Sequence, residues 1–202
     1  MKKTKLPTSG GALTQEMQRC ISSPLYFIEH YLHSPDNVQY KLTDTKSQLI
    51  ESIVSGNAIG ISYTDEMDEA ALAYIIWYAA FNQSKNILVR TMYNDRAIYL
   101  SNRLAELYES ISLNLPKIIH KSRWSVEFES GNMIHTSRLT EHSERGYRCD
   151  LIFYSCLDRI NPTLLDEVIR NTIYIHGTHG AKIAITSSTD IPELPNSFNR
   201  VY

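Results

Sequence analysis

Ala58-Ile59-Gly60-Ile61-Ser62-Tyr63-Thr64-Asp65-Glu66-Met67-Asp68-Glu69, followed by the apolar run Ala70 to Phe81, decides how this sequence is read. Ala58 to Ser62 reads as a short apolar strand. Ala70 to Phe81 is so apolar that it predicts a buried helix, ended by Asn82-Gln83-Ser84. A turn between such a strand and such a helix is where a phosphate-binding loop is expected. That loop works because glycines let backbone N–H groups close around the phosphates, a Lys neutralises charge and a Ser/Thr hydroxyl holds Mg²⁺. The combination is missing between Ser62 and Glu69, where four carboxylates crowd the turn and would repel a triphosphate.

Outward from this turn the chain alternates strands and helices. Towards the N-terminus, Met17, Cys20, Ile21, Leu25, Ile28 and Leu32 have helical spacing from Thr14, interrupted at Ser23-Pro24. Asp44 to Val54 predicts a helix capped by Asp44, with Leu49, Ile50 and Ile53 on one face. Towards the C-terminus, Asn86 to Arg90 predicts a strand and Asn94 to Ser112 an amphipathic helix. Trp124 to Glu129 alternates strictly, Ser130-Gly131-Asn132 supplies a turn and Met133 to Thr136 returns, which predicts a local antiparallel hairpin insertion. Asp150 to Tyr154, apolar from Leu151 on, suits a central parallel strand, Pro162 to Ile173 predicts a helix, and Lys182 to Thr186 a last strand. The tail from Ile191, with Pro192 and Pro195, reads as loop. The pattern predicts a three-layer α/β fold with a mainly parallel central sheet and a β-hairpin insertion.

At 202 residues the chain is long enough for one sizeable core. The expectation is a flexible arm over 1–12 and a single domain over 13–202. A net charge of −2 excludes a uniformly basic nucleic-acid coat, so any DNA contact is local. No apolar run is long enough for a membrane span or a signal core, which gives a cytoplasmic expectation with no membrane partner. Cys20, Cys149 and Cys156 form no CxxC pair and read as free thiols.

Several segments carry a resemblance in order along the chain. They are Ser23-Pro24-Leu25-Tyr26-Phe27-Ile28-Glu29-His30-Tyr31, Tyr40 to Leu49, Trp77 to Lys85, Phe128 to Ile134, Glu144-Arg145-Gly146, Asp150 to Tyr154, Thr186-Ser187-Ser188-Thr189 and Asn196 to Tyr202. Together these resemble, over residues 14–202, the N-terminal ATPase domain of the large terminase subunit, the DNA-packaging motor protein of tailed bacteriophages. The resemblance implies a P-loop NTPase-like fold. Carried over position by position, the Walker A Gly-Lys-Ser/Thr falls on Glu66, Met67 and Asp68, and the preceding Arg of many terminases on Tyr63. The Walker B Asp-Glu falls on Ser155 and Cys156, and the adenine-side Gln on Lys46. Phosphate cradle, metal ligand and base are therefore all replaced, and the expected domain lacks the nuclease domain that follows in terminases.

The departures imply a non-catalytic, terminase-like phage protein, a pseudo-ATPase acting as a binding or regulatory subunit linked to DNA packaging. No catalytic residue, cofactor or metal is expected. Terminase or portal components are the expected protein partners. The resemblance allows DNA as a further partner, through Lys121, Arg123, Arg138, Arg145 and Arg148, although scattered solvated cations are the commoner explanation of such residues. The alternatives are a diverged or split packaging ATPase, using shifted residues such as Asp150 and Asp158, and a repurposed regulator of DNA metabolism. Asp65, Glu66, Asp68 and Glu69 read as acids favoured at a helix N-terminus, with a divalent-metal site as the sharper alternative. His176 and His179 have metal-ligand spacing within a glycine-bounded turn. Ser155 and Cys156 read as strand-end packing rather than nucleophiles, and Trp77, Tyr78 and Phe81 as core.

Overall fold

The computed structural model describes residues 4–5, 14–33, 38–140, 148–159, 161, 163–164, 181–189, 191, 194 and 197–202. The expected helix Pro162 to Ile173 lies outside these residues except at Thr163 and Leu164, which are helical. His176, His179 and Glu144-Arg145-Gly146 also lie outside them. Within the expected arm, Thr4–Lys5 (β1) pairs in parallel with Leu113–Asn114 (β4).

Local chemistry explains where the helices start and stop. The helix Gln15–Ser22 (α1) begins on the Thr14 hydroxyl, which accepts the Met17 N–H. Ser23 ends it and at once caps Pro24–Tyr31 (α2), whose first residue is the proline that needs no donor. The third helix, Asp44–Ser55 (α3), is capped by Thr43 and not by Asp44: the Thr43 backbone is extended and its hydroxyl accepts the Lys46 N–H. Asp44 is already in the first turn, where its charge faces the positive end of the dipole. After Ala58–Ile61 (β2) comes Glu66–Phe81 (α4), which begins four residues before the predicted Ala70, so the acidic residues form its first turn. Asn86–Thr91 (β3) and Asn94–Glu109 (α5) follow, with α5 ending at Ser110.

The remaining strands are Ile118–Lys121 (β5), Ser125–Phe128 (β6), Met133–Arg138 (β7), Leu151–Ser155 (β8), Lys182–Ser187 (β9) and Asn199–Val201 (β10). Eight strands form one sheet in the order β10-β2-β9-β8-β3-β7-β6-β5. The first six run parallel, β6 runs antiparallel to them, and β5, antiparallel to β6, closes that edge. Two features depart from the sequence expectation. The hairpin is continuous with the central sheet, because β7 pairs with β3 from Asn86↔Met133 to Thr91↔Arg138. The loop-like tail holds β10, which pairs with β2, so β9 is not the last strand.

Strand residues alternate between two cores, as the two-residue period requires. One face, with Ile87, Val89, Leu151, Phe153 and Ala184, packs against α1 to α5; the other, with Ile59, Leu88, Ile152, Ile183 and Ile185, packs with Leu194 and Phe198. Trp77, Tyr78 and Phe81 lean on the first core, and the Trp77 indole N–H donates to the Cys20 carbonyl at 2.8 Å. Consecutive strands β2 and β3 are separated by β9 and β8, so their carboxyl ends diverge around a crevice of the kind in which open α/β sheets bind ligands.

Asn132 fixes the hairpin to this frame. Its side chain is fully buried, donates to the carbonyls of Ala79 and Asn82 at 2.7 Å each, and accepts the Lys85 N–H at 2.8 Å. Gly131, at φ 78°, makes the tight turn that brings Asn132 inward, with Ser84 against it. Asn132→Ala leaves three backbone groups without their partner, the Ala79 carbonyl buried and the Asn82 carbonyl and Lys85 N–H half-buried, and is expected to cost about 3 kcal/mol, read as a lower urea midpoint at unchanged slope.

Candidate functional site

The site lies at the carboxyl ends of β2, β9 and β8, under the first turn of α4. After Ile61, the Ser62 N–H donates to the Ser187 carbonyl at 2.9 Å, which ties the turn to β9. Ser62 Oγ then accepts the Thr64 N–H at 3.2 Å and donates to Glu66 Oε1 at 3.2 Å, so the turn is held by its own hydroxyls. Met67 is buried. A Cβ on Gly60 would stand 2.9 Å from Leu49 Cδ2 and 3.1 Å from Met67 Sδ, which places the Met67 side chain in the core beneath β2.

Asp68 is the centre of the arrangement, 3% exposed and surrounded by donors. Arg96 Nη2 of α5 donates to Oδ2 at 2.6 Å. Ser155 Oγ, at the end of β8, donates to the same oxygen, and Thr186 Oγ1 of β9 donates to Oδ1. Thr186 Oγ1 in turn accepts the Cys156 N–H at 3.1 Å. Arg96 also reaches Asp65, at 3.1 and 3.3 Å. Burial opposes charge on Arg96, but the hydrogen bonds and charges of Asp68 and Asp65 outweigh it and raise its pKa above the ordinary arginine value. Two turns further along α5, Arg103 grips Glu69 through two N–H···O bonds at 3.2 and 3.0 Å. The acids therefore answer to two arginines of α5 as well as to the helix dipole. Asp65, at the N-cap, makes no side-chain capping bond.

Cys156 turns the chain out of β8 with φ 54° into a single 3₁₀ turn, Leu157–Arg159. Burial and the neighbouring Asp68 raise its thiol pKa, so it is a weak nucleophile. Asp158 accepts the Ser188 N–H at 2.9 Å and the Ser188 hydroxyl, closing the crevice floor between β8 and β9. Lys46, on the adenine-side position, lies with Nζ 5.2 Å over the Tyr40 ring.

Other predicted residues are dispersed. Asp150 sits at the opposite end of β8 from the crevice, paired with Lys85 at 2.9 Å and accepting the Asn86 N–H. Five strand residues at about 3.3 Å each keep it from the crevice. Lys121, Arg123 and Arg138 are exposed, the first two at the β5 edge and the third at the carboxyl end of β7. Arg148 is exposed at the amino end of β8, so the basic residues share no one surface, and Arg145 lies outside the described residues. Among the described residues no three His, Cys, Asp or Glu side chains converge as metal ligands, and no helix is long and apolar enough to cross a membrane. Arg96 and Arg103 were legible only as a seven-residue spacing on α5, complementary to the acids of α4.

No protein-family model matches the sequence, and no curated protein matches it. Solved structures do match. The HK97 bacteriophage large terminase aligns with TM-score 0.62 at 12% identity, over 88% of this chain and 38% of that one. The large terminase ATPase domain of Thermus phage P74-26 gives 0.57 at 11%, over 80% of each chain. A DEAD box protein from the hyperthermophile Methanococcus jannaschii gives 0.56 at 14%, over 78% of this chain and 48% of that one. This chain thus spans well under half the length of the HK97 protein. The chain has the P-loop NTPase-like α/β fold of these proteins.

Hydrogen bonds from Ser188 hold the Asp158 carboxyl below its ordinary 3.8 against the opposing effect of burial. A depressed folded pKa stabilises above the unfolded value and loses that stabilisation as pH falls through the folded one. Acid titration of stability should therefore steepen below pH 3.8, and Asp158→Asn should flatten that limb while leaving the neutral limb parallel to wild type.

Proposed function

We propose that this protein is a terminase-like, non-catalytic subunit: a phage packaging-ATPase scaffold that no longer hydrolyses ATP and serves as a binding surface. The observation that carries this reading is the side-chain arrangement around Asp68. Mg²⁺ in P-loop NTPases is held by a loop Ser/Thr and a Walker B Asp, and a loop Lys cradles the phosphates. On the corresponding positions here, Met67 lies in the core and Asp68 is engaged by Arg96, Ser155 and Thr186. Asp65 and Glu66 add negative charge where a nucleotide's phosphates would come. These residues do not fit Mg²⁺ and ATP. The alternative acids fit no better, since Asp150 is at the far end of β8 and Asp158 is committed to Ser188.

The order of terminase-like segments along the chain favours the packaging link over a DEAD box-like role, and the sheet and helix faces supply docking surface independent of the crevice. Partners are terminase or portal components, with Lys121, Arg123 and Arg138 available to DNA phosphates.

The test has two arms. Purified protein with Mg²⁺ and ATP should release no phosphate above buffer, and an Asp68→Ala variant should not alter that; hydrolysis abolished by Asp68→Ala would establish the diverged ATPase instead. Tagged protein recovered from its native cells should bring terminase or portal components with or without nuclease, whereas recovery of replication proteins alone would identify a regulator.

A further inference from the structure

Resting on that reading, we infer that Arg96 is a built-in cation standing where the fold's nucleotide site would use Mg²⁺, and that the Asp68–Ser155 hydrogen bond joins α4 to β8 with carboxylate and hydroxyl exchanged relative to the positions the resemblance implies. The ligand-binding end of the fold is thereby held closed by the protein alone.

The positions make the exchange explicit. Where the resemblance puts a hydroxyl on the loop helix and a carboxylate on the strand, this chain has Asp68 on α4 and Ser155 on β8, and the two are hydrogen bonded. A hydroxyl donates and a carboxylate accepts in either arrangement, so such a pair can form whichever element carries which group. A carboxylate as buried as Asp68 needs a compensating positive charge. Arg96 supplies it from α5, at 2.6 Å from Oδ2, and extends to Asp65 at the helix cap. It therefore sits between two carboxylates, as a divalent ion would, while remaining covalently part of the chain. Thr186 completes the set from β9, so four elements meet on one carboxylate: α4, α5, β8 and β9.

The energetic consequence distinguishes a tethered cation from a bound one. A site closed by Mg²⁺ or nucleotide gains stability in proportion to the logarithm of ligand concentration, whereas a site closed by an arginine on its own chain does not. Wild type should therefore be indifferent to metal and nucleotide, and removing Arg96 should leave two neighbouring carboxylates that a divalent ion can neutralise.

Thermal unfolding of the full chain tests this in EDTA, Mg²⁺, Mn²⁺ and Mg²⁺ with ATP. Wild type should show the same Tm in all four. Arg96→Met should lower Tm in EDTA by on the order of 5–10 °C and regain part of it in Mn²⁺. Asp68→Ser and Ser155→Asp should each lower Tm, and the double exchange should recover most of the loss, because Arg96 and Thr186 already converge where the two side chains meet. The inference is overturned if wild type is stabilised by Mg²⁺ or by Mg²⁺ with ATP, if Arg96→Met loses nothing or is not rescued, or if the exchange losses simply add. Should Arg96→Met fail to fold, the exchange cycle decides alone. Additive losses in a protein that does not hydrolyse ATP sink this inference only, whereas Mg²⁺-dependent hydrolysis sinks the reading beneath it.

Discussion

A carboxylate taken out of water must be met by charge and hydrogen bonds, and the cost of failing to do so exceeds that of most other defects in a fold. Asp68 sets that demand at the junction of α4 with the carboxyl ends of β8 and β9, and the surrounding structure answers it. Arg96 comes from α5, Ser155 from β8 and Thr186 from β9. Because each donor belongs to a different element, the carboxylate sets their relative positions, and the turn over 62–65 lies across the result. Arg103, two turns along α5 from Arg96, repeats the pairing with Glu69, so α4 and α5 are joined by a second ion pair.

A second buried polar group plays a comparable part at the opposite end of the sheet. Asn132 joins the hairpin turn to the carbonyls that end α4 and to the N–H that begins β3. The hairpin is thereby continuous with the parallel sheet, and β5 and β6 extend it towards an edge that carries Lys121. Lysine on an edge strand discourages pairing with another chain.

The comparisons and the site bear on different questions. Proteins as unlike in task as large terminases and a DEAD box protein share this sheet at 11 to 14% identity, so the fold alone does not assign an activity. Function has to be argued from the crevice, where Asp68 is engaged by Arg96, Ser155 and Thr186.

The sequence by itself determined the alternation of elements. Apolar runs such as Leu151 to Tyr154 are legible because burial on both faces leaves no polar alternation, and Ser23-Pro24 breaks a helix through local sterics. It also determined that the turn after β2 carries four acids and neither Gly nor Lys between Ser62 and Glu69, since that depends only on residue types within eight positions. The start of α4 was misplaced because acids at its first turn look like a loop until their partners are known, and β10 was missed because three residues carry too little pattern. Only the tertiary structure decided that Asp68 meets Arg96, Ser155 and Thr186, residues 28, 87 and 118 positions away. Charge pairing and hydrogen bonding act through space over a few ångströms, and the sequence distance between such partners is set by the path of the chain through the sheet, which no local pattern records.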